Sequence, residues 1–219
     1  MAALDAIDAP ALARWLRTFA ASVADQRDHL TALDAAIGDA DHGANMHRGM
    51  TAVVEALPTT PPDDPAGLLK QTGMVLIRSV GGASGPLYGT LFLRMAPATG
   101  GATALESETF AKALRAGLDG VVARGKAELG DKTMVDALVP ALDALDAALA
   151  AGQGLAPALR AASAAGDEGR DATTPMIARK GRASYLGERS AGHQDPGATS
   201  TALLVAAAAT ALAEQDDPT

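Results

Sequence analysis

Three aspartates, Asp34, Asp39 and Asp41, fall within one stretch of eight residues and are followed directly by His42, Gly43, Ala44 and Asn45. Two carboxylates about 4 Å apart repel by roughly 4 kcal/mol at an effective dielectric near 20. Gathering three in a concave site is therefore unfavourable unless a hard cation lies between them. Oxygen-only ligation of this kind suits Mg2+, which keeps several waters and completes its shell with substrate phosphates. The run is not an EF-hand: counting twelve from Asp34 or from Asp39 ends on Asn45 or Met50, so the closing Glu is missing. The alternative is a solvated turn whose aspartates cap the next helix. That explains any single aspartate well, but a turn requires neither His42 nor Asn45.

A second cluster, Gly81-Gly82-Ala83-Ser84-Gly85-Pro86, precedes an apolar segment with Leu87, Leu91 and Met95. Small residues let a backbone approach a ligand closely, and the free N–H groups at a helix start attract anions. Ser84 adds a hydroxyl suited to phosphate. No Gly-Lys-Ser/Thr follows, which excludes a P-loop, and Pro86 stands where a nucleophile elbow needs glycine. A plain glycine-rich turn between helices fits the cluster equally well. A third cluster holds Gly125, Gly130, Asp131, Lys132, Thr133 and Met134. Asp131 reads as a helix cap, and Met134 by itself reads as core rather than as the wall of an adenine pocket.

The segment from Arg179 to Gly197 is polar and glycine-rich, and it carries Lys180, Arg182, Arg189, His193 and Asp195. A long irregular loop in a compact domain is functional or disordered, and Tyr185, Leu186 and the paired charges favour an ordered lid. A positioned arginine stabilises charge on a moving phosphoryl group, although a solvated charged loop fits as well. Ser190, His193 and Asp195 are the residue types of a hydrolytic triad, but their crowding in one stretch is poor evidence because triads are defined by geometry.

Helices must position these groups. Leu12, Trp15, Leu16, Phe19 and Val23 recur at helical spacing, predicting a first helix over 10–31 with Pro10 in its first turn. Further helices are expected at 43–57, 66–80, 85–97, 106–124, 132–150, 154–170 and 197–214. The apolar stripes Leu69, Leu76 and Val80, and Val135, Leu138, Val139, Leu142, Leu145 and Leu149, mark two of them. No run of alternating β-branched residues suggests a strand, and the stretch 59–65 reads as a single loop. About eight helices with short connections give an all-α, antiparallel, up-and-down bundle or barrel, expected as one domain over residues 1–219.

Composition agrees. Apolar residues make up 48% of the 219 and aromatics only 3%; the excess alanine favours close-packed helices. A net charge of −8 excludes a nucleic-acid surface, which needs clustered cations. Cysteine is absent, which removes disulfides and thiolate metal sites. The start of the chain does not read as a signal peptide, and the most apolar tract, 202–213, is shorter than the roughly 20 residues of a membrane span. The expectation is a soluble, cytoplasmic protein without membrane contact.

Together, LDAAIGDADHGANMHRG, SVGGASGPLYGT, RGKAELGDKTM and GRASYLGERSAGHQDPGATS closely resemble the L subunits of dihydroxyacetone kinases, in the family's order and over essentially the whole chain. The resemblance implies an eight-helix antiparallel barrel with nucleotide bound at one end. It implies that Asp34, Asp39 and Asp41 hold two Mg2+ ions bridging the nucleotide phosphates. It further implies that His42, Gly43, Ala44, Asn45, Ala83, Ser84, Gly125 and Met134 line the nucleotide site, completed by Arg182 and by Asp195, Pro196 and Gly197. Arg182 is the candidate catalytic contact. The implied partners are a K subunit holding dihydroxyacetone and a phosphocarrier (M subunit) of the phosphoenolpyruvate phosphotransferase system that recharges a bound ADP; a homodimer is compatible with this. Exchangeable ATP, a related short ketose such as erythrulose, and a non-catalytic ADP-bound regulatory module are the alternatives.

Overall fold

The structure, a computed structural model, describes residues 6–57 and 64–213. Helix α1 (Ala9–Asp25) starts as its sequence demands. The Asp8 carboxylate accepts the Ala11 amide at 2.8 Å, and Pro10 takes a first-turn position where its missing N–H has no intrahelical role. Leu12, Trp15, Leu16, Phe19 and Val23 all face the core. The helix does not run on to residue 31: it breaks at Gln26, and α2 (Arg27–Ile37) follows directly. No apolar residue lies between Val23 and Leu30 except Ala24, so nothing there binds the turn to the core.

The remaining helices are α3 (His42–Ala56), α4 (Pro65–Ser79), α5 (Ser84–Ala98), α6 (Ser107–Gly125), α7 (Met134–Ala150), α8 (Leu155–Ala172) and α9 (Pro196–Ala213). Each lies within about two residues of its expected span. The start of α7 moves from 132 to 134 because Lys132 adopts left-handed backbone (φ 63°) and Thr133 is the cap. Thr133 and Asp136 form a capping box there, so Asp131 is not the helix cap; its carboxylate instead accepts the Glu128 amide. Residues 59–63 of the expected loop, and residue 214 of the last expected helix, lie outside the described residues. The expected lid contains a 3₁₀ segment, Arg182–Ser190, kinked at Gly187. A two-residue antiparallel ladder, β1 (Ile7–Asp8) with β2 (Ala104–Leu105), ties the start of α1 to the α5–α6 connection; it is too short to leave an alternating pattern in the sequence.

Packing follows the chain round a closed ring: α1 on α3, α3 on α4, α4 on α5, α5 on α6, α6 on α7, α7 on α8, α8 on α9, and α9 back on α1. These eight helices form the all-α barrel, with α2 outside the ring against α3. Five of the six aromatics fill its interior: Trp15 stacks edge-on against Phe110 and tilted against Phe92, while Phe19 meets Tyr88. The Trp15 indole also donates to the Leu204 carbonyl at 2.9 Å, so α1 and α9 close the ring with a satisfied polar contact. The sixth aromatic, Tyr185, is 87% exposed on the 3₁₀ segment. Among the described residues, no helix is long and apolar enough to cross a membrane.

Candidate functional site

Because α2 extends to Ile37, Asp34 lies in its last turn rather than beyond a helix. It is buried, and its Oδ2 accepts the amides of Asp41 at 2.8 Å and His42 at 3.1 Å. Asp34 thus caps α3 from the preceding helix, while Asp41, at the cap position itself, makes no side-chain cap bond. The turn between them is tight. Ala40 sits in the left-handed region (φ 62°), which costs a residue with a Cβ roughly 1–2 kcal/mol. A Cβ at Gly38 would lie 2.0 Å from Asp34 Oδ1. This constrained turn brings carboxylate oxygens of Asp34, Asp39 and Asp41 within 4.8 Å of one another. Arg182 reaches in from the 3₁₀ segment, its Nη2 at 2.9 Å from Asp39 Oδ2. One arginine does not offset three carboxylates, and an all-oxygen set with spare lone pairs is suited to a hard divalent cation.

In an up-and-down barrel, alternate helices begin at the same end. Here the starts of α3, α5, α7 and α9 converge: His42, Ser84, Met134 and Pro196 line a single cavity with the three aspartates and Arg182. Four positive helix ends around one mouth form an anion-attracting surface. The start of α5 has no side-chain cap, and Gly82, Ala83 and Ser84 line the cavity there. A buried polar chain ties three of these starts together. His42 Nδ1 lies 3.1 Å from Ser84 Oγ and its Nε2 lies 2.9 Å from Ser200 Oγ. Ser200 continues to the Tyr88 hydroxyl at 2.7 Å, which also meets Thr201 Oγ1 at 3.0 Å. Burial holds the His42 imidazole below its usual pKa, against the opposing pull of Asp34 and Asp41, and pushes the Tyr88 phenol up to about 12.

At the start of α9, Asp195 Oδ2 accepts the Ala198 amide at 2.7 Å. Burial pushes this carboxyl up to about 7, although the amides and Lys132 favour its charged form. The cavity, about 190 Å3, borders a second of about 270 Å3; both touch Ala83, Leu87, Thr133, Met134, Lys180 and Gly181. The second is an apolar slot between Leu87, Val121, Gly125 and Met134. Gly125 therefore belongs to the slot and Ala83 and Met134 to both cavities, while Asp34, Asp39, Asp41, His42, Ser84, Arg182, Asp195, Pro196 and Gly197 surround the mouth. Gly43, Ala44 and Asn45 do not line either cavity. Gly43 is buried against α2, Ala44 is exposed, and Asn45 accepts from Arg48 at 2.7 Å.

Ser190, His193 and Asp195 form no triad. The Ser190 hydroxyl accepts the Ala178 amide and donates to the Gly187 carbonyl, and His193 is engaged through its carbonyl. Four participants are not legible from residue type. Thr133 caps α7 while lining both cavities, Leu87 walls the slot, and Ser200 with Tyr88 extends the His42 chain. Their only sequence signal is position beside a motif residue.

The DAK2 domain model matches residues 36–210 of the chain. The chain is 48% identical over 203 residues to the PEP-dependent dihydroxyacetone kinase, ADP-binding subunit DhaL, of Escherichia coli (strain K12), covering 93% of this chain and 97% of that protein. It is 44% identical to the corresponding subunit of PEP-dependent dihydroxyacetone kinase 1 of Listeria innocua, covering 87% of this chain and 90% of that one. The solved dihydroxyacetone kinase of C. freundii in complex with AMP-PNP and Mg2+ superposes with a TM-score of 0.70 at 30% identity, over 93% of this chain and 33% of that larger one.

Proposed function

The chain belongs to the DAK2-domain family, and from that premise we propose that it is the ADP-binding, phosphoryl-transferring subunit of a dihydroxyacetone kinase, a single nucleotide-binding helical domain. The observation that carries this reading is the placement of an apolar slot directly beside a mouth made of helix starts and three clustered carboxylates, the two sharing Ala83, Leu87, Thr133 and Met134 as walls. An adenine ring fits the first environment and a polyphosphate with a divalent cation fits the second.

In this reading Leu87, Val121, Gly125 and Met134 hold the base. The amides at the start of α5, with Ser84, orient the phosphates. Asp34, Asp39 and Asp41 hold two Mg2+ ions, which supply charge neutralisation of the phosphates and alignment of the transferred group. Asp34 fixes its own geometry by accepting the amides of Asp41 and His42, so its remaining oxygen is preorganised. Arg182 leaves Asp39 to meet the charge that develops on the moving phosphoryl group. Asp195, Pro196 and Gly197 close the mouth from α9. The acceptor ketose, dihydroxyacetone, is held by a separate K subunit, and the bound ADP is recharged by a phosphotransferase-system phosphocarrier.

The test is to add labelled ATP to the purified protein and follow nucleotide exchange together with ketose phosphorylation by added K subunit. Retained ADP that takes phosphate only from the phosphocarrier is the expected result. Rapid exchange with turnover on ATP alone would make it an ATP-dependent kinase subunit. Retained nucleotide with no transfer under either regime would leave a regulatory module and overturn the proposal.

A further inference from the structure

Lys132 lies in the cavity lining, where a phosphate-binding lysine would be expected, yet its geometry points elsewhere. The side chain is 1% exposed. Its ammonium donates to three backbone carbonyls: Met176 at 3.0 Å, Ser190 at 2.6 Å and His193 at 2.6 Å. An ammonium has three donors, so none remains for an anion. Among the described residues no carboxylate forms a salt bridge with it. Its own backbone is left-handed, a conformation that persists at a residue with a Cβ only where the surroundings over-determine it.

The three carbonyls lie at the two feet of one arch. Met176 stands where the chain leaves α8, and Ser190 and His193 where it returns to α9. Arg182 lies between them. Further contacts secure the same feet: the Ser190 hydroxyl takes the Ala178 amide, the Arg179 amide donates to the Asp131 carbonyl, and the Gly192 amide donates to the Thr174 carbonyl. Ala183 and Leu186 then pack on Ile37, the last residue of α2, three residues beyond Asp34. Holding the feet together therefore sets where Arg182 stands relative to the acidic turn.

We propose that Lys132 is a positioning residue for phosphoryl transfer, its ammonium gathering the carbonyls of Met176, Ser190 and His193 so that the arch presents Arg182 to the acidic cluster. This rests on the site being a phosphoryl-transfer site. A displacement of about 1 Å at a reacting group costs on the order of 100-fold in rate, and that is the loss expected for Lys132→Met, which keeps the stem and removes the donors.

The experiment is a double-mutant cycle with the full chain, K subunit, dihydroxyacetone and the phosphoryl donor that supports wild-type turnover. Lys132→Met, Arg182→Ala and the double variant are compared, with bound ADP quantified and amide hydrogen exchange read over 176–195. If Lys132 acts through Arg182, the double variant is no slower than Arg182→Ala alone. Exchange over 176–195 rises about tenfold or more in Lys132→Met while peptides from α1 and α6 are unchanged. Losses that multiply in the double variant, or unaltered exchange over 176–195, would overturn the proposal. Lys132→Arg, which keeps the charge and several donors, carries the same cycle should the Met variant not fold, with intermediate values expected. If the wild-type protein transfers no phosphoryl group, the functional reading fails on its own, and the exchange measurement still decides whether Lys132 holds the arch.

Discussion

Arg182 and Asp39 form an ion pair at 2.9 Å between an exposed arch and the acidic turn, with side chains 68% and 35% exposed. Pairs this open contribute little to stability, about 0–1 kcal/mol. The contact matters instead as a placement: it sets a guanidinium beside the carboxylates proposed to hold metal. A divalent cation on Asp39 would compete with Arg182 for the same oxygens and release it toward the phosphates.

Replacing Arg182 with Ala is accordingly expected to separate binding from chemistry. Phosphoryl transfer to the ketose falls on the order of 1,000-fold, as for other arginines that meet transition-state charge, whereas ADP content changes by less than about threefold. Single-turnover transfer with the K subunit and quantitation of bound nucleotide check the two halves. Unchanged transfer would reduce Arg182 to a surface charge on a loop.

Asp39→Asn should remove metal and nucleotide together, since each binds largely through the other. Ligand present at 100 times its Kd stabilises the folded protein by about 2.7 kcal/mol. The upward shift in Tm that Mg-ADP produces in the wild type should therefore vanish in the variant, with the apo Tm almost unaltered because Asp39 is exposed. A preserved Mg-ADP shift would remove Asp39 from the metal site.

Much of this was legible because the chemistry is local in sequence. The run from Asp34 to Asn45 sets three carboxylates close together in the chain, and the structure gathers them; helical periodicity identifies the residues of α1 and α7 that face the core. What stayed hidden depends on partners far along the chain. Lys132 meets Ser190 and His193, and His42 meets Ser200, through contacts that no window of sequence contains. The break at Gln26 leaves no mark in the sequence because an amphipathic pattern records which face is buried, not where one helix ends and the next begins. The resemblance places Gly43 at the nucleotide, whereas its packing against Arg27 and Thr31 depends on where α2 lies.

His42 supplies a pH dependence. Burial lowers its pKa from 6.5 in the folded state, so the unfolded chain binds the proton more readily. The stability this group contributes is complete above about pH 6.5 and is lost as pH falls toward the folded value. The difference in unfolding free energy between the wild type and His42→Gln should thus narrow as pH drops below 6.5, measured by urea denaturation of both at each pH. A difference that stays constant from pH 8 to 5 would show that the imidazole does not titrate with folding.

Gly43 connects packing to the metal site. In an unobstructed helix interior, Gly to Ala stabilises by about 1 kcal/mol. Here a Cβ would lie 2.0 Å from the Arg27 carbonyl and 2.8 Å from the Thr31 amide, both backbone atoms of α2. Backbone does not yield as a side-chain tip does, so α2 must move away from α3, and overpacking of this kind costs about 1–3 kcal/mol. The same shift carries Asp34 away from the amides of Asp41 and His42 that fix its carboxylate. Gly43→Ala should therefore lower Tm and weaken Mg-ADP retention in the same variant, although residue 43 lines neither cavity. Isothermal titration of Mg-ADP into the nucleotide-stripped variant, beside its thermal melt, measures both effects. A variant that melts at or above the wild type would show that α2 accommodates the methyl group, and the link between this helix contact and the acidic turn would be lost.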